Sequence, residues 1–280
     1  MAVYNVGGTA VDSVFNRSGV QVSQAYDVGG NPLIPTEPNF TVMSYNVQWF
    51  TGNNAYKAMH DEILQLYDPD VIGFQEFQTA SGSTIPTKAT EIYAPSYTIS
   101  MGNYGNKNAF ASKYAMTDFT TIPHTTQTMD GQSFSTAHIT FEGKDILLVV
   151  SHVTTSSYES TKVEQVHEVF EAVQNTTRFI ILADFNTVCK SVYDTEYTTI
   201  MKQFVDAGYH CANCTAQWGF EDTWTDAKTP TGATWYPCDH IITSPNISIV
   251  DVIIDKTKLE YLDGANGIDH LPIVAYLTVT

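Results

Sequence analysis

The amino-acid sequence predicts a layered domain of the α/β or α+β class, because segments with strand periodicity alternate with segments that have helix periodicity. Of the 280 residues, 43% are hydrophobic and 12% aromatic, which supports a real core and argues against disorder. Strand patterns follow one another near the end of the chain, in "CDHIITS", "ISIVDVIID" and "LPIVAYLTV". These observations predict sheets layered against helices.

The regular pattern begins at residue 39, after which each element follows from its local sequence. "FTVMSYNV" (40–47) alternates and predicts a strand, and the apolar spacing through Tyr67 predicts a helix that ends at Asp68-Pro69. Further strands are predicted in "DVIGFQ" (70–75), "NAFASKYAM" (108–116), "FSTAHITF" (134–141), "DILLVVSHV" (145–153) and "RFIILADFN" (178–186). Helices are predicted in 159–173, with Val163, Val166, Phe170 and Val173 on one face, and in 195–208, ending at Gly208.

Residues 1–38 differ from the rest and predict a separate N-terminal extension ahead of a domain at 39–280. "YNVGG" at 4–8 recurs as "YDVGG" at 26–30, and Pro32, Pro35 and Pro38 then mark a linker. Two alternatives stay open for this segment: an extension that wraps the domain, or a docking arm that attaches the chain to a larger assembly.

The balance of charge is strongly acidic, with 13 basic and 30 acidic residues and a formal net charge of -17. Such a field repels nucleic acid and anionic membranes at long range and argues against a tight or processive nucleic-acid binder. A bound metal ion can invert the sign locally, so a phosphate substrate is not excluded. No transmembrane segment or signal peptide is visible, and the sequence leaves the compartment open.

Four cysteines lie in the C-terminal half, at Cys189, Cys211, Cys214 and Cys238. Two disulfides, a four-cysteine zinc site and free buried thiols all remain open, and the cysteine usage fits an extracellular or particle-associated protein. We predict no strand before "HCANC", so its C-x-x-C does not have the context of a redox motif.

Polar residues with carboxylate, amide or imidazole side chains are predicted to follow the strands. Each is weak evidence alone, since an Asp there is commonly a helix cap, an Asn a turn residue and a His a structural group. Together they suit one site, because carboxylate and amide oxygens bind hard divalent ions and two histidines suit proton transfer. The set is Asn46, Glu76, His152, Asp184, Asn186, Asp239, Asp269 and His270. Five other histidines, at 60, 124, 138, 167 and 210, are interpreted as structural or solvated residues.

The order of these motifs resembles the endonuclease/exonuclease/phosphatase superfamily, of which pancreatic deoxyribonuclease is the best-known member. Y-N-V, Q-E, S-H, D-F-N, D-H-I and D-H-x-P-I occur in the same order over residues 40 to 280. The resemblance implies a four-layer sandwich, with two packed mixed β-sheets flanked by helices. It also implies a Mg²⁺ cofactor, with Mn²⁺ or Ca²⁺ as alternatives.

Carried over position by position, the resemblance implies a role for each polar residue. Asn46, Glu76 and Asp269 match the metal-binding residues, and Asp184 and Asn186 match residues that hold phosphate or orient the attacking water. His270 matches a catalytic base or phosphate contact, Asp239 the carboxylate that orients it, and His152 a general acid or phosphate ligand. Whether the water is activated by His270 or Asp184 stays open. The resemblance also implies a Cys189–Cys238 disulfide, which leaves Cys211 with Cys214.

The sequence differs from that of the deoxyribonuclease at positions that contact the substrate in that enzyme. Gln48 and Gln78 stand where that enzyme has DNA-contacting arginines, and Lys113 stands near another of its arginines. Losing two guanidinium groups weakens phosphate binding. No glutamate equivalent to the one that orients the His152 counterpart is evident. Trp235, followed by Tyr236, is a candidate for substrate contact.

The sequence therefore predicts a divalent-metal-dependent phosphodiester hydrolase, with a nuclease of low sequence specificity as the leading interpretation. The alternatives are a sphingomyelinase-like lipid phosphodiesterase, a small-molecule phosphatase, or a non-catalytic assembly module of the same fold. The acidic surface and the two glutamines favour a substrate other than nucleic acid, whereas the lack of an apolar membrane loop or basic patch argues against lipid. The presence of all eight polar residues argues against a catalytically inactive protein, because nothing structural requires all eight.

Overall fold

The computed structural model describes residues 38–48, 54–78, 84–103, 105, 107–126, 132–155, 159–215, 219–225, 235–256 and 269–280. For residues 54–56, 224, 225 and 235 only the backbone is described. The chain divides after Pro38, and the unit Asn39–Thr280 contains the helices and strands of the domain. The predicted N-terminal extension and its docking role lie outside the described residues, apart from Pro38, and stay predictions.

The elements follow one another closely along the chain. In order they are β1 (Phe40–Asn46), α1 (Asn54–Tyr67), β2 (Val71–Gln75), α2 (Thr87–Tyr93), β3 (Thr98–Met101), β4 (Ala109–Ser112), β5 (Met116–Pro123), β6 (Ser133–Phe141), β7 (Lys144–His152), α3 (Glu159–Val173), β8 (Phe179–Asp184), a π-helical turn (Tyr197–Met201), α4 (Lys202–Asp206), β9 (His210–Ala212), β10 (Trp224–Thr225), β11 (Trp235–Tyr236), β12 (Asp239–Thr243), β13 (Ile247–Ile254) and β14 (Ile273–Val279).

Two mixed sheets form the centre of the domain, each with six strands in the described part of the chain. The first has the order β13-β14-β1-β2-β4-β3, and the second β5-β6-β7-β8-β12-β9. Each contains one parallel pair, β1 with β2 and β7 with β8, among otherwise antiparallel neighbours. Asn46, Glu76, His152 and Asp184 lie at or directly after the carboxyl ends of these pairs, whereas three other predicted residues lie at the starts of strands: Asp239 begins β12, and Asp269 and His270 precede β14.

Three apolar clusters hold the layers together. Val42, Phe110, Leu148 and Leu182 belong to a cluster that draws on both sheets. A second cluster packs the first sheet against α1 and α2, and a third packs the second sheet against α3, the π turn and α4. The predicted four-layer sandwich is therefore confirmed. Among the described residues, no helix combines the length and apolar character needed to cross a membrane.

Most predicted elements occur near their expected places, and the departures have local causes. The helix predicted at 195–208 is a π-helical turn continued by α4, and it stops before Gly208, which has φ +80°. α2 was not predicted because seven residues with three buried side chains carry no clear period. The segment "HCANC", where no strand was predicted, contains the three-residue β9, so Cys211 lies within a strand and does not follow one.

The buried face of α3 is rotated from the predicted one. The fully buried side chains of α3 are Lys162, Gln165, Val166, Val169 and Val173, whereas Val163 and Phe170 are only partly buried. A lysine and a glutamine therefore lie on the face that packs against the second sheet.

The four cysteines are buried free thiols, so the disulfides implied by the resemblance do not form in this structure. The Cys238 thiol donates to the carbonyl of Thr187, with sulfur and oxygen 3.3 Å apart. Burial raises the pKa of Cys238 well above its usual value, which keeps the group protonated.

Gly73 allows the two sheets to approach closely beside the site. A Cβ atom on Gly73 of β2 would lie 2.6 Å from Cβ of Leu182 on β8, which is closer than two carbon atoms can pack. We expect Gly73→Ala to lower the free energy of unfolding by about 1–3 kcal/mol, because both contacting atoms sit next to rigid backbone. Urea denaturation measures the change, and an unaltered midpoint would show that the sheets tolerate a wider spacing.

Candidate active site

One edge of the sandwich gathers the polar residues of both sheets. Asn46 ends β1, His152 ends β7 and Asp184 ends β8. Asp239 begins β12 and lies opposite Asp184 in the antiparallel ladder, while His152 pairs with Asp184 in the parallel ladder. The register of the second sheet therefore places three of the predicted residues side by side.

The fully buried carboxylate of Asp184 is the centre of this group. Its Oδ2 accepts a hydrogen bond from Nδ2 of Asn46 at 2.9 Å. Nε2 of His152 lies 3.5 Å and Nε2 of His270 3.7 Å from the same oxygen. One carboxylate oxygen thus contacts an amide from the first sheet and two imidazoles.

His270 and Asp239 form a buried ion pair. Nδ1 of His270 lies 2.8 Å from Oδ2 of Asp239, and Nε2 lies 3.8 Å from Oδ1 of Asp269. Burial by itself would lower the pKa of His270, but the carboxylates of Asp239, Asp184 and Asp269 outweigh it and raise the pKa to about 10. His270 is therefore a cation at neutral pH, held with its Nε2 toward Asp184.

Glu76 lies on the first-sheet side of the group, directly after β2. It adopts a left-handed backbone conformation with φ 54°, which turns the chain at the end of the strand. Its Oε1 accepts a hydrogen bond from Nδ2 of Asn46 at 3.2 Å and lies 3.9 Å from Nε2 of His152. Glu76, Asn46 and His152 therefore share one corner of the site.

Asn186 follows Asp184 by two residues and also has a left-handed conformation, with φ 48°. Its backbone N–H donates to Oδ1 of Asp184 at 2.8 Å, and its Nδ2 donates to the carbonyl of Val153 at 3.0 Å. These bonds fix the Asp-x-Asn pair to the end of β7 as well as to β8.

The structure brings together eight of the predicted residues, namely Asn46, Glu76, His152, Asp184, Asn186, Asp239, Asp269 and His270. Gln48 and Gln78 adjoin this group through backbone contacts, since the N–H of Gln48 donates to Oδ1 of Asn46 and the N–H of Gln78 to the carbonyl of Glu76. The side chain of Trp235 lies outside the described residues. The roles of all these residues stay predictions.

Lys113 is not part of the group. β4 runs antiparallel to β2, so Ala109 lies opposite Phe74 at the site edge and Ser112 lies opposite Val71 at the far end. Lys113 continues past that far end, where its ammonium pairs with Asp68 at 2.7 Å. The sequence motif could not show this, because strand direction decides which end of β4 faces the site.

The donor set fits a divalent cation. The ion pairs that Glu76, Asp184 and Asp239 form in the described part of the chain are all with histidines, with no lysine or arginine among them. Asp184, Asp239 and His270 place ligand atoms within 4.8 Å of one another. Asp239 and His270 already bind each other through Oδ2 and Nδ1, and the metal-binding roles of Glu76, Asn46 and Asp269 stay predictions.

Thr223 supports the site and was not predicted from the sequence. Its buried hydroxyl accepts the backbone N–H of Asp239 at 3.0 Å, and its carbonyl accepts the N–H of Leu271 at 2.7 Å. Asp239 and His270 are therefore tied to the same residue. A single threonine in a loop gives no periodic signal, so only the structure reveals this connection.

Sequence comparison identifies a family. The model of the Endonuclease/Exonuclease/phosphatase family matches residues 43–261, which is more than half of the chain. None of the curated proteins matches the chain by sequence.

Solved structures share the fold at low sequence identity. TDP2 of D. rerio, complexed with a single strand DNA product, has 19% identity and a TM-score of 0.66, covering 86% of this chain and 99% of that one. The human Nocturnin catalytic domain with bound sulfate has 17% identity and a TM-score of 0.65, covering 87% and 94%. A mannosyl-6-phosphatase of Bacteroides thetaiotaomicron has 17% identity and a TM-score of 0.58, covering 86% and 100%.

Removing the charge of Asp239 tests the electrostatics of the site. We expect Asp239→Asn to lower the pKa of His270 from about 10 toward its ordinary value, because the nearest carboxylate is lost. The raised pKa means that His270 stabilises the fold below about pH 6.5 and that this contribution fades as the pH rises toward 10. NMR titration of His270 in EDTA, in wild type and variant, measures the shift, and identical titration curves would contradict it.

Proposed function

The chain belongs to the endonuclease/exonuclease/phosphatase family, whose members are phosphoester hydrolases, and on that premise we propose that it is a divalent-metal-dependent phosphodiesterase. Within that class we propose a nuclease of low sequence specificity. The observation that carries the proposal is the pair of imidazoles, His152 and His270, each with Nε2 within 4 Å of the same buried carboxylate oxygen.

Glu76, Asn46 and Asp269 are the residues proposed to hold the divalent ion. When bound, such an ion supplies Lewis-acid neutralisation of the charge on the phosphate oxygens. Four carboxylates meet at this edge, and without added positive charge they would repel a phosphate group.

In the proposed reaction, the two imidazoles and Asp184 each have a separate role. His270, cationic through Asp239, donates from Nε2 to a nonbridging phosphate oxygen. As the water oxygen bonds to phosphorus, its proton passes to Asp184, and the bond from phosphorus to the leaving oxygen breaks. His152 donates a proton to that leaving oxygen, and the Asn186 amide orients the phosphate without adding negative charge.

Nucleic acid is the preferred substrate in this proposal because a fold neighbour, TDP2 of D. rerio, is complexed with a single strand DNA product. A nuclease of this chain would bind its substrate weakly, given its net charge of -17. Low affinity and little sequence preference are consistent with the absence of arginine from the site motifs.

A second candidate is a phosphatase acting on a small phosphorylated compound. The chain has only two arginines, Arg17 and Arg178, and Arg178 donates to the carbonyl of Thr280. Gln48 and Gln78 adjoin the site instead of guanidinium groups, which favours a compact substrate over a long polyanion. The fold similarity to a mannosyl-6-phosphatase agrees with this candidate.

The first experiment is hydrolysis of supercoiled plasmid, single-stranded DNA, a chromogenic phosphodiester and a chromogenic phosphomonoester, with Mg²⁺ and with EDTA. We expect Mg²⁺-dependent cleavage of the diesters, lowered by about 10²–10⁴-fold in His152→Ala, which removes the proton donor to the leaving oxygen, and in His270→Ala, which removes the charged donor to the phosphate. Cleavage of the monoester alone would favour the phosphatase.

The matched control is His138→Ala with His167→Ala. His167 is exposed and His138 is half-buried, and both bind polar partners away from the site, Gln203 and Asp145, so their loss should leave the rate unchanged. Cleavage that persists in EDTA would contradict the metal dependence, and cleavage that persists in the combined His152→Ala, His270→Ala variant would show that this edge of the sandwich is not the active site.

A further inference from the structure

A buried ion pair lies behind the Asp-x-Asn motif and has no part in the chemistry proposed above. Nζ of Lys162 on α3 lies 2.5 Å from Oε1 of Glu196, which precedes the π-helical turn. The Lys162 side chain is 0% exposed and that of Glu196 11%. Charged residues of this kind are almost never fully buried unless paired.

Both members of the pair also bind the backbone of the segment that follows β8. Lys162 donates from Nζ to the carbonyl of Asn186 at 2.8 Å. Oε2 of Glu196 accepts the N–H of Val188 at 2.5 Å. The pair therefore holds this segment on each side of Thr187.

Asn186 needs such external support. Its φ of 48° lies in the left-handed region, which is unfavourable for residues other than glycine. Its N–H and side-chain amide are bound to Asp184 and Val153 on the site side, and Lys162 supplies the bond to its carbonyl on the opposite side. Losing that bond frees the peptide to rotate and the amide to turn away from the site.

Stability alone does not explain the pair. Desolvating two charges offsets much of their attraction, so well-packed apolar residues usually serve a core as well as a buried ion pair does. The surrounding face of α3 offers that alternative, with Val166 and Val169 in the same cluster.

We propose that Lys162 and Glu196 are positioning residues that lock Asn186 in its strained conformation and so fix its side-chain amide for the phosphate group. The inference rests on the proposed phosphoesterase function of the same site. It assigns the pair no contact with substrate.

The test compares Lys162→Met, Glu196→Gln and the double variant with wild type, by melting temperature and by kcat and KM on the chromogenic phosphodiester with Mg²⁺. Each single variant leaves one buried charge alone, so we expect both to lower the melting temperature by roughly 10 °C. The double variant should regain most of the melting temperature, yet keep a kcat about 10- to 100-fold below wild type with KM within about threefold.

Repeating the Lys162→Met substitution in the Asn186→Ala variant distinguishes a positioning role from a general loss of structure. If the pair acts through Asn186, Lys162→Met should change kcat by less than about twofold once that amide is absent. The matched control is Lys202→Met with Asp206→Asn, an ion pair on neighbouring α4 with side chains 46% and 61% exposed, which should alter neither quantity. Recovery of kcat together with melting temperature in the double variant, or a full additional loss in the Asn186→Ala background, would overturn the proposal.

A readout without turnover keeps this inference separate from the proposed function. The side-chain amide signals of Asn186, assigned by their loss in Asn186→Ala, should shift or broaden in the double variant and not in the α4 control. If wild type cleaves no phosphoester, the proposed function fails, and the NMR result still decides the positioning role. Unchanged Asn186 signals in the double variant would overturn it.

Discussion

The hydrogen bond from the Asn46 amide to the Asp184 carboxylate joins the two halves of the site. Asn46 belongs to the first sheet and Asp184 to the second, and the bond at 2.9 Å crosses between them where both sheets end. Glu76 depends on this bond because it binds the same amide nitrogen, and both histidines depend on it because they face the same carboxylate oxygen. The site therefore exists only while the sheets keep their spacing.

Part of the site could be predicted from the sequence because Asn46, His152 and Asp184 end strands. The expectation that the other residues also follow strands is wrong for Asp239, which begins β12, and for Asp269 and His270, which precede β14. Strands β1, β7 and β8 are rich in apolar residues with high strand propensity, so their ends can be recognised in the sequence. A polar residue at such an end is not explained by packing. Parallel neighbours end at the same edge, which brings His152 beside Asp184 without any long-range information. The resemblance to a known family added the expectation that the two sheets face each other.

What the sequence did not predict depends on distance and direction between remote elements. Lys113 matched a motif, but the antiparallel direction of β4 carries it to the wrong end of the sheet. Lys162 occupies a position on α3 in register with Val166, Val169 and Val173, so its heptad-like spacing placed it on the buried face of the helix. From the sequence alone, a lysine at this position would be interpreted as solvent-exposed. The structure instead shows it buried in contact with Glu196 and the carbonyl of Asn186.

The strand order of the first sheet also determines when the polar group at this edge can be completed during synthesis of the domain. β1, the first strand in the described part of the chain, pairs on one side with β14, the last one there, so one edge of β1 lacks its partner until the end of the domain has left the ribosome. Asp269 and His270 lie just ahead of β14, so the dyad with Asp239 also waits for that release. A nascent chain therefore carries Asn46, Glu76, His152 and Asp184 as an incomplete set until the whole domain has been translated.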